Sequence, residues 1–479
     1  MALSKLPLEL LELIAVFIAD DVDLAAFANV CGASRTAVNG GQSTVWRGRF
    51  ELTYDSISGV TSRFWRALYT RRQWQLGQVV RFGSGRTPEE VRCLEVLRDL
   101  IVESNAQVDE SAGLIRGKNQ DQLWRFTTES TDLLSHICKS RRALVTSPTS
   151  RLMQVVQVSL SHITLHRRFY TPAQNLGVSQ KAVYESVDVS PLFKGHGEDK
   201  VNLAWLLHVC NFYKNHLLQH EEATLYHPYH ELANDQVPQA GVGTPQTTLA
   251  VPGQHWLGSF GEFHPPKPVE AQAADMYRAL AFLPLDELEM VRNGPPGNVV
   301  VFDHMCQDLD MMRIEPMAAG EREVHKAYLD GIVARQTPSP YIKLKGSYID
   351  EDSPHPIQGR LYAVPPQQGI PGWQRMMLMK YEPDPSFPQD YIHTEVFLYD
   401  GVILPGGRIF MGRWTQALPG AEEDRFYGGP FVFWAARRDW RWDGDHLDRA
   451  PVVAATAAPG VDQIMEDTDM DLVIDQVMD

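Results

Sequence analysis

The chain has 479 residues, a net charge of −16 and an apolar content of 44%, which predict a soluble protein of several globular domains. The acidic balance argues against a surface built mainly to bind nucleic-acid phosphates. No apolar run approaches the roughly twenty residues that span a bilayer. Glu9 and Glu12 interrupt the apolar stretch 6–18, and no basic region precedes it, so we expect neither a membrane segment nor a signal peptide.

Cysteine usage indicates a reducing compartment. The five cysteines are scattered and odd in number, and the sequence has no C-x-x-C pair, so it predicts neither a disulfide framework nor a thiolate zinc site. We therefore expect the protein in the cytoplasm or the nucleus. The cysteines are Cys31, Cys93, Cys138, Cys210 and Cys306.

Residues 1–52 predict a compact helical module. Pro7 is tolerated in the first turn of a helix, and apolar residues follow it at helical spacing. The stripe that they form consists of Leu10, Leu11, Ile14, Phe17 and Ile18. Aspartates precede the second helix, where carboxylates suit the positive end of the helix dipole. A module of about fifty residues is small enough to be marginally stable on its own.

The order of landmarks in residues 4–50 resembles the F-box, the module with which substrate receptors dock onto the Skp-type adaptor of a cullin ubiquitin ligase. The order is Leu6-Pro7, an apolar helix, Asp23-Leu24, Val30-Cys31 and a lone Trp46. The resemblance implies an apolar helix-on-helix contact whose energy comes from side-chain burial. The adaptor-binding residues that it implies are Leu6, Pro7, Leu10, Leu11, Ile14, Leu24, Val30, Cys31 and Trp46.

Residues 53–235 predict a helical segment. Residues 201–218 are its clearest helix, and they are apolar nearly all round, which is typical of a helix at the centre of a core. A basic cluster near the start of the segment is interpreted as a solvated helix face. Proline and glycine then mark residues 236–250 as a linker. The basic cluster consists of Arg63, Arg66, Arg71, Arg72 and Arg81.

Residues 251–447 predict an antiparallel β domain, either a barrel or a sandwich, because large and small residues alternate in short runs. Asp400-Gly401 is a tight-turn signal between two of these runs. The candidate strands are 256–263, 298–302, 341–348, 357–364, 373–381, 391–399, 408–414 and 431–434.

The tail 448–479 differs from the rest, since residues 461–479 hold several acids and no Lys or Arg. This composition predicts a disordered, solvated segment. The expected fold class is therefore α+β multidomain, with an N-terminal helical F-box, a helical linking segment and a C-terminal antiparallel β-barrel or sandwich.

The Gly- and aromatic-rich segments 401–414 and 429–434 resemble those of large F-box proteins of filamentous fungi. In these proteins the C-terminal part is similar to the β-barrel substrate domain of cyclin-D-binding F-box proteins. The resemblance implies that the β domain captures a degron, while the helical segment spaces it from the adaptor.

The sequence offers little for catalysis. It contains no phosphate-binding loop, dinucleotide fingerprint, nucleophile elbow or His-Glu-x-x-His zinc helix, so we expect no enzyme and no cofactor. A metal candidate consists of His216 and His220, one helical turn apart, with Glu221, His227 and His230 nearby. The acid follows the pair of histidines instead of lying between them, which favours an ordinary polar helix end.

Aromatic and arginine side chains of the β domain are the candidates for substrate recognition. Arginines suit an acidic or carboxyl-bearing ligand, and the Pro- and Gly-rich loop 365–373 stiffens the approach to one strand. Packing in the barrel core is the alternative interpretation of each tryptophan. The candidates are Arg360, Trp373, Arg375, Arg408, Arg413 and Trp414.

These features together predict the substrate-recognition subunit of an SCF-type (Skp–cullin–F-box) ubiquitin ligase. Its partners would be a Skp-type adaptor, through it a cullin, and an unidentified protein substrate, with neither nucleic acid nor membrane. The alternative is a ligand-binding β-barrel protein with a helical N-terminal extension and no ligase role. A metal-dependent enzyme that uses residues 216–230 is a third hypothesis.

Overall fold

The computed structural model describes residues 3–436 with gaps, of which the longest are 136–148, 265–301, 384–392 and 417–427. Within this described part, the N-terminal half is helical and the C-terminal half is a closed antiparallel β-barrel. The predicted α+β class, with helices in the N-terminal part and an antiparallel β domain in the C-terminal part, is therefore confirmed, and the β domain is a barrel. The acidic tail and most of the candidate strand 298–302 lie outside the described residues. None of the described helices has the length and apolar content needed to cross a bilayer.

Four helices form the N-terminal module, residues 8–53. They are α1 (Leu8–Phe17), α2 (Asp21–Ala28), α3 (Gly32–Asn39) and α4 (Val45–Thr53). The Asp20 carboxylate caps α2 by accepting from the Val22 N–H at 2.6 Å, and Cys31 and Ser34 form a capping box at the start of α3. The module core consists of Ala15, Leu24, Ala28, Val38 and Val45, with Val16, Ile18, Phe27 and Trp46 packed against it.

The helical segment continues from this module. Its elements are a 3-10 turn (Ser62–Phe64), α5 (Trp65–Leu76), α6 (Pro88–Val102), the hairpin β1 (Gln107–Asp109) and β2 (Leu114–Arg116), α7 (Lys118–Glu129), α8 (Arg151–Ser159), α9 (Ser161–Thr164), α10 (Leu176–Val183), β3 (Phe193–Lys194), β4 (Lys200–Val201), α11 (Leu203–Leu218) and α12 (Tyr226–Glu231). α11 confirms the helix predicted at 201–218. It is buried almost throughout and packs on α8 and α10.

The barrel is built from β5 (His255–His264), β7 (Asp310–Pro316), β8 (Tyr341–Asp350), β9 (Ser353–Ala363), β10 (Gln374–Pro383), β11 (His393–Ile403), β12 (Ile409–Gln416) and β13 (Gly428–Ala435). Each strand pairs antiparallel with the next in the chain, and β13 pairs with β5, which closes the barrel. A short strand β6 (Phe302–Met305) pairs with the last four residues of β5, whereas β7 pairs with the first four. One helix, α13 (Lys326–Val333), follows β7.

Side chains that alternate along the strands fill the barrel interior, as period-two alternation requires. The outward-facing residues are buried as well on two sides. α13 covers β9, β10 and β11 through Leu329, and α11 lies against β12 and β13. The interior residues are Trp256, Met312, Ile314, Leu344, Tyr348, Ile357, Leu361, Met376, Leu378, Tyr399, Ile403, Phe410, Trp414, Phe431, Phe433 and Ala435.

The turn predicted at Asp400-Gly401 was wrong. Both residues lie inside β11, and the chain reverses later, around Gly406 and Gly407, whose φ values are +95° and +71°. Gly401 is needed for packing, because a Cβ there would lie 2.6 Å from the Phe410 ring. The dipeptide therefore reflects a shortage of space inside the barrel and not a turn.

Residues 236–243, in the segment predicted as a linker, pack between the two halves. The Trp434 Nε1–H donates to the carbonyl of Gln236 at 2.6 Å, and the Gly243 N–H donates to the carbonyl of Ala106 at 2.7 Å. Val237 is fully buried. The glycines here allow two backbone segments to pack closely and do not mark a loose linker, since the backbone of Gly241 lies directly against Gly406.

Substituting Gly401→Ala should destabilise the protein by about 1–3 kcal/mol, because the added methyl group overlaps the Phe410 ring in a filled interior. Gly331→Ala is the matched control, since a Cβ at Gly331 meets nothing within 4 Å and alanine favours the helix there. Urea denaturation of the two variants measures the difference. Equal stability of both would contradict the described packing.

Stability should also fall below neutral pH. Burial lowers the pKa of His162, His166 and His208 to about 4 from the ordinary 6.5, so the unfolded chain takes up protons that the folded chain does not. The stabilising effect is therefore complete above pH 6.5 and is lost as the pH falls towards 4. The thermal midpoint should drop between pH 6.5 and about 5, above the ordinary carboxyl range, and a flat profile there would refute it.

Candidate protein-docking site

α1 is apolar on two sides, and only one of them is used inside the protein. Leu11 and Ala15 are fully buried in the N-terminal module. The opposite side faces solvent, and its side chains share one arc of the helix because they follow the spacing i, i+3, i+4 and i+7. We call this arc the α1 apolar face; it consists of Leu10, Leu13, Ile14 and Phe17, which are 46%, 53%, 40% and 68% exposed.

Exposed apolar side chains are concentrated around this face. Seven of the sixteen large apolar residues that are exposed in the described part of the chain lie within residues 8–30. Leu8, Val22 and Val30 are the three outside the α1 apolar face. Grouped exposure of this kind is typical of interaction surfaces, whereas isolated exposed residues need no explanation.

The structure divides the residues that the sequence proposed for adaptor binding. Pro7, Leu10, Ile14 and Val30 are exposed, Leu6, Cys31 and Trp46 are half-buried, and Leu11 and Leu24 are buried. The buried pair supports the module from inside. The sequence stripe thus merged two sides of α1, and the proposed docking residues did not include Leu13 or Phe17.

Cys31 has a structural task at the edge of this region. Its sulfur accepts from the Ser34 N–H at 3.4 Å as the cap of α3. Hydrogen bonds from the Ser34 side chain and backbone lower the pKa of the Cys31 thiol.

Arg49 fixes the end of α1 relative to the neighbouring helices. Its side chain, 4% exposed, donates to the carbonyl of Ile18 and forms an ion pair with Asp21 at 2.5 Å. It also donates to the Tyr69 hydroxyl at 3.2 Å. One buried guanidinium therefore joins α1, α2, α4 and α5, which keeps the α1 apolar face in a defined orientation.

Two further contacts hold α4 and the residues just after it against the helical segment. Arg72 stacks on Phe50, with its guanidinium carbon 5.0 Å from the ring centre, and pairs with Glu103. The Asp55 carboxylate accepts from the N–H groups of Asn105 at 2.9 Å and of Lys118 at 3.0 Å. Whatever docks on the module is therefore held at a fixed distance from the helices that follow.

The barrel arginines that the sequence proposed for substrate binding all have partners within the protein, and two of them, Arg360 and Arg375, are buried. Arg375 forms a bidentate pair with Asp400 at 2.8 and 2.6 Å and a second pair with Glu198 at 2.5 Å. Arg360 pairs with Glu323 and, at 2.8 Å, with Asp330 of α13. Both hold outer layers against the barrel wall.

Arg408 and Arg413 are half-buried and also have partners within the protein. Arg408 donates to the carbonyl of Ala435 at 2.6 Å, and Arg413 lies 4.9 Å over the Trp205 ring of α11. Burial lowers the pKa of both guanidinium groups to about 10.

The proposed tryptophans are internal. Trp373 donates from Nε1 to the carbonyl of Ile370 at 3.0 Å, and Trp414 donates to that of Gly261 at 2.8 Å inside the barrel. The stiff loop is also docked, since Gln367 accepts from Arg151 at 2.6 Å. The structure does not gather the six proposed residues into one open site.

The described histidines do not assemble a metal site. His216 packs against Phe212 with ring centres 4.5 Å apart, while the His220 and His227 rings touch on the surface at 5.7 Å. Among the described residues no group of three His, Cys, Asp or Glu is arranged to hold a metal. Glu221 lies outside the described residues.

A small cleft lies outside the barrel, where α6, α7 and α9 meet the turn at Gly406. The Ser159 hydroxyl and the Gln120 carbonyl oxygen lack hydrogen-bond partners among the described residues. The cavity measures about 20 Å³, which is room for one water molecule. It is too small for an organic ligand.

No family model, curated protein or solved structure matches this chain. The α1 apolar face is therefore supported as a site by its geometry and chemistry. It is the described region where exposure, apolar character and rigid support coincide.

Replacing Arg375 with methionine should cost about 3 kcal/mol, because Asp400 and Glu198 would remain half-buried without their cation. Arg313→Met is the matched control, since its side chain is 60% exposed and its Glu315 partner lies 3.6 Å away. An exposed pair of this kind contributes less than about 1 kcal/mol. Urea denaturation distinguishes the two variants, and similar losses in both would count against a clamping role for Arg375.

Proposed function

We propose that this chain is the substrate-recognition subunit of an SCF-type ubiquitin ligase. The α1 apolar face carries the proposal, because an apolar helix side without an internal partner suits a helix-on-helix contact. The landmarks that resemble the F-box, from Leu6 to Trp46, lie in or next to the four helices of the same module. In this proposal the Skp-type adaptor covers Leu10, Leu13, Ile14 and Phe17, while Leu11 and Leu24 support them from below.

The proposed mechanism needs no catalytic residue in this chain. The adaptor contact connects the chain to a cullin, and the β domain binds a protein substrate or degron. Ubiquitin transfer then gains from the raised effective concentration of substrate lysines near the conjugating enzyme. The rigid junctions at Arg49, Arg72 and Asp55 support this role, since tethering is most effective when the span is fixed. A cytoplasmic or nuclear location is part of the proposal.

The barrel interior bears on the competing function, a ligand-binding barrel protein without a ligase role. A carrier needs an internal cavity, whereas aromatic side chains such as Tyr348, Tyr399 and Phe431 fill the described interior. The same packing directs the search for a substrate site to the outer surface and to the strand ends.

Coexpression with a Skp-type adaptor tests the proposal. The variant Leu10→Lys, Ile14→Lys should fail to copurify, because losing two buried apolar contacts costs about a hundredfold or more in affinity. The matched control is Val79→Lys, Val108→Lys, which changes two residues that are 84% and 44% exposed away from α1 and should copurify like the wild type. Both should keep the wild-type circular dichroism and melting temperature. A folded wild type that binds no adaptor would refute the proposal.

A further inference from the structure

The solvent side of α5 carries exposed charged and aromatic side chains. Arg63, just before the helix, and Arg66, Arg71 and Trp74 are exposed and follow one another at spacings that keep them on one side. Trp74 is 58% exposed, and Phe64 at the start is 52% exposed. We call these five residues the α5 strip.

The charge of the α5 strip is not balanced locally. Arg71 pairs with Glu95 at 3.0 Å, whereas Arg63 and Arg66 have no carboxylate within 4.0 Å among the described residues. Arg66 donates instead to the Asn39 side-chain oxygen at 2.9 Å. Only one of the three guanidinium groups is thus paired with a carboxylate among the described residues, in a chain whose net charge is −16. Such a local reversal of sign attracts an anionic partner.

The shape of the strip suits an extended polypeptide. The exposed residues between the arginines, Ala67 and Thr70, have short side chains. The longer side chains of the arginines and the tryptophan therefore project beyond the helix surface between them. Arginine and tryptophan are the side chains that most often dominate binding energy at interfaces. Guanidinium groups pair well with carboxylates, and the indole of Trp74 offers an apolar contact at the end.

We propose that the α5 strip docks a carboxylate-rich segment of another polypeptide, with an apolar side chain of that segment on Trp74. A nucleic acid fits less well, because the strip lacks a series of stacking rings for successive bases. Arg66 also lies 5.1 Å over the Trp46 ring, so the bound segment would lie beside the N-terminal module. This inference does not depend on adaptor docking.

Fluorescence anisotropy with a labelled peptide of alternating Glu and Leu tests the proposal on the full chain. The wild type should bind it, and Arg63→Glu, Arg71→Glu should weaken binding by roughly tenfold or more. The matched control is Arg116→Glu, Arg313→Glu, which makes the same change of charge at side chains that are 63% and 60% exposed elsewhere. It should bind within about twofold of the wild type.

A second variant tests the apolar contact. Trp74→Ala should weaken binding of the Glu-Leu peptide but not of a Glu-Ser peptide, which has no apolar side chain to place on the indole. Salt should weaken wild-type binding of both peptides, because the pairs are exposed.

The proposal is overturned if the folded wild type does not bind the Glu-Leu peptide or binds a Lys-Leu peptide equally well. It is also overturned if the two double variants weaken binding to the same degree. Binding of a single-stranded thymidine oligonucleotide without binding of the acidic peptide would assign the strip to nucleic acid instead.

Discussion

The packing of α11 between the helices and the barrel wall sets the position of everything else in the described structure. The Tyr213 hydroxyl bonds to the carbonyl of Pro430 at 2.8 Å and lies 3.2 Å from that of Ser259. The Cys210 sulfur lies 3.7 Å from that of Met411. A helix that is apolar nearly all round can serve two layers at once, and here it joins the helical segment to β5, β12 and β13. Arg375 adds an ionic clamp between the same two layers.

This packing buries much of the apolar surface of the described residues, whereas exposed apolar side chains are concentrated around α1. The outer barrel wall is covered by α11 and α13, and the barrel interior is filled. The α1 apolar face stays uncovered, although it lies on the same helix as the fully buried Leu11. A small module with half of its first helix exposed loses hydrophobic stabilisation that a bound partner would restore. This is the physical reason for assigning docking to α1 and not to the barrel arginines.

Sequence periodicity was enough to identify α11, most of the strands and the change from helix to barrel, because burial on one or both faces leaves a repeat that can be read directly. It was not enough at Asp400-Gly401, where glycine makes room for the Phe410 ring. It also failed to separate Leu10 from Leu11, since both are apolar and only tertiary packing decides which one faces out. The barrel arginines were candidates by residue type alone. The carboxylate partners of Arg375, Asp400 and Glu198, lie 25 and 177 residues away from it in the sequence, so no local pattern reveals them.

Hydrogen exchange of the full chain, with and without a Skp-type adaptor, tests the central assignment most directly. The adaptor should slow amide exchange in α1 and α2 and leave exchange in the strands β8–β12 unchanged, because the docking side chains project from α1 while the barrel is already buried. Protection confined to barrel strands, or no change anywhere with the adaptor present in excess, would contradict the assignment of docking to the α1 apolar face.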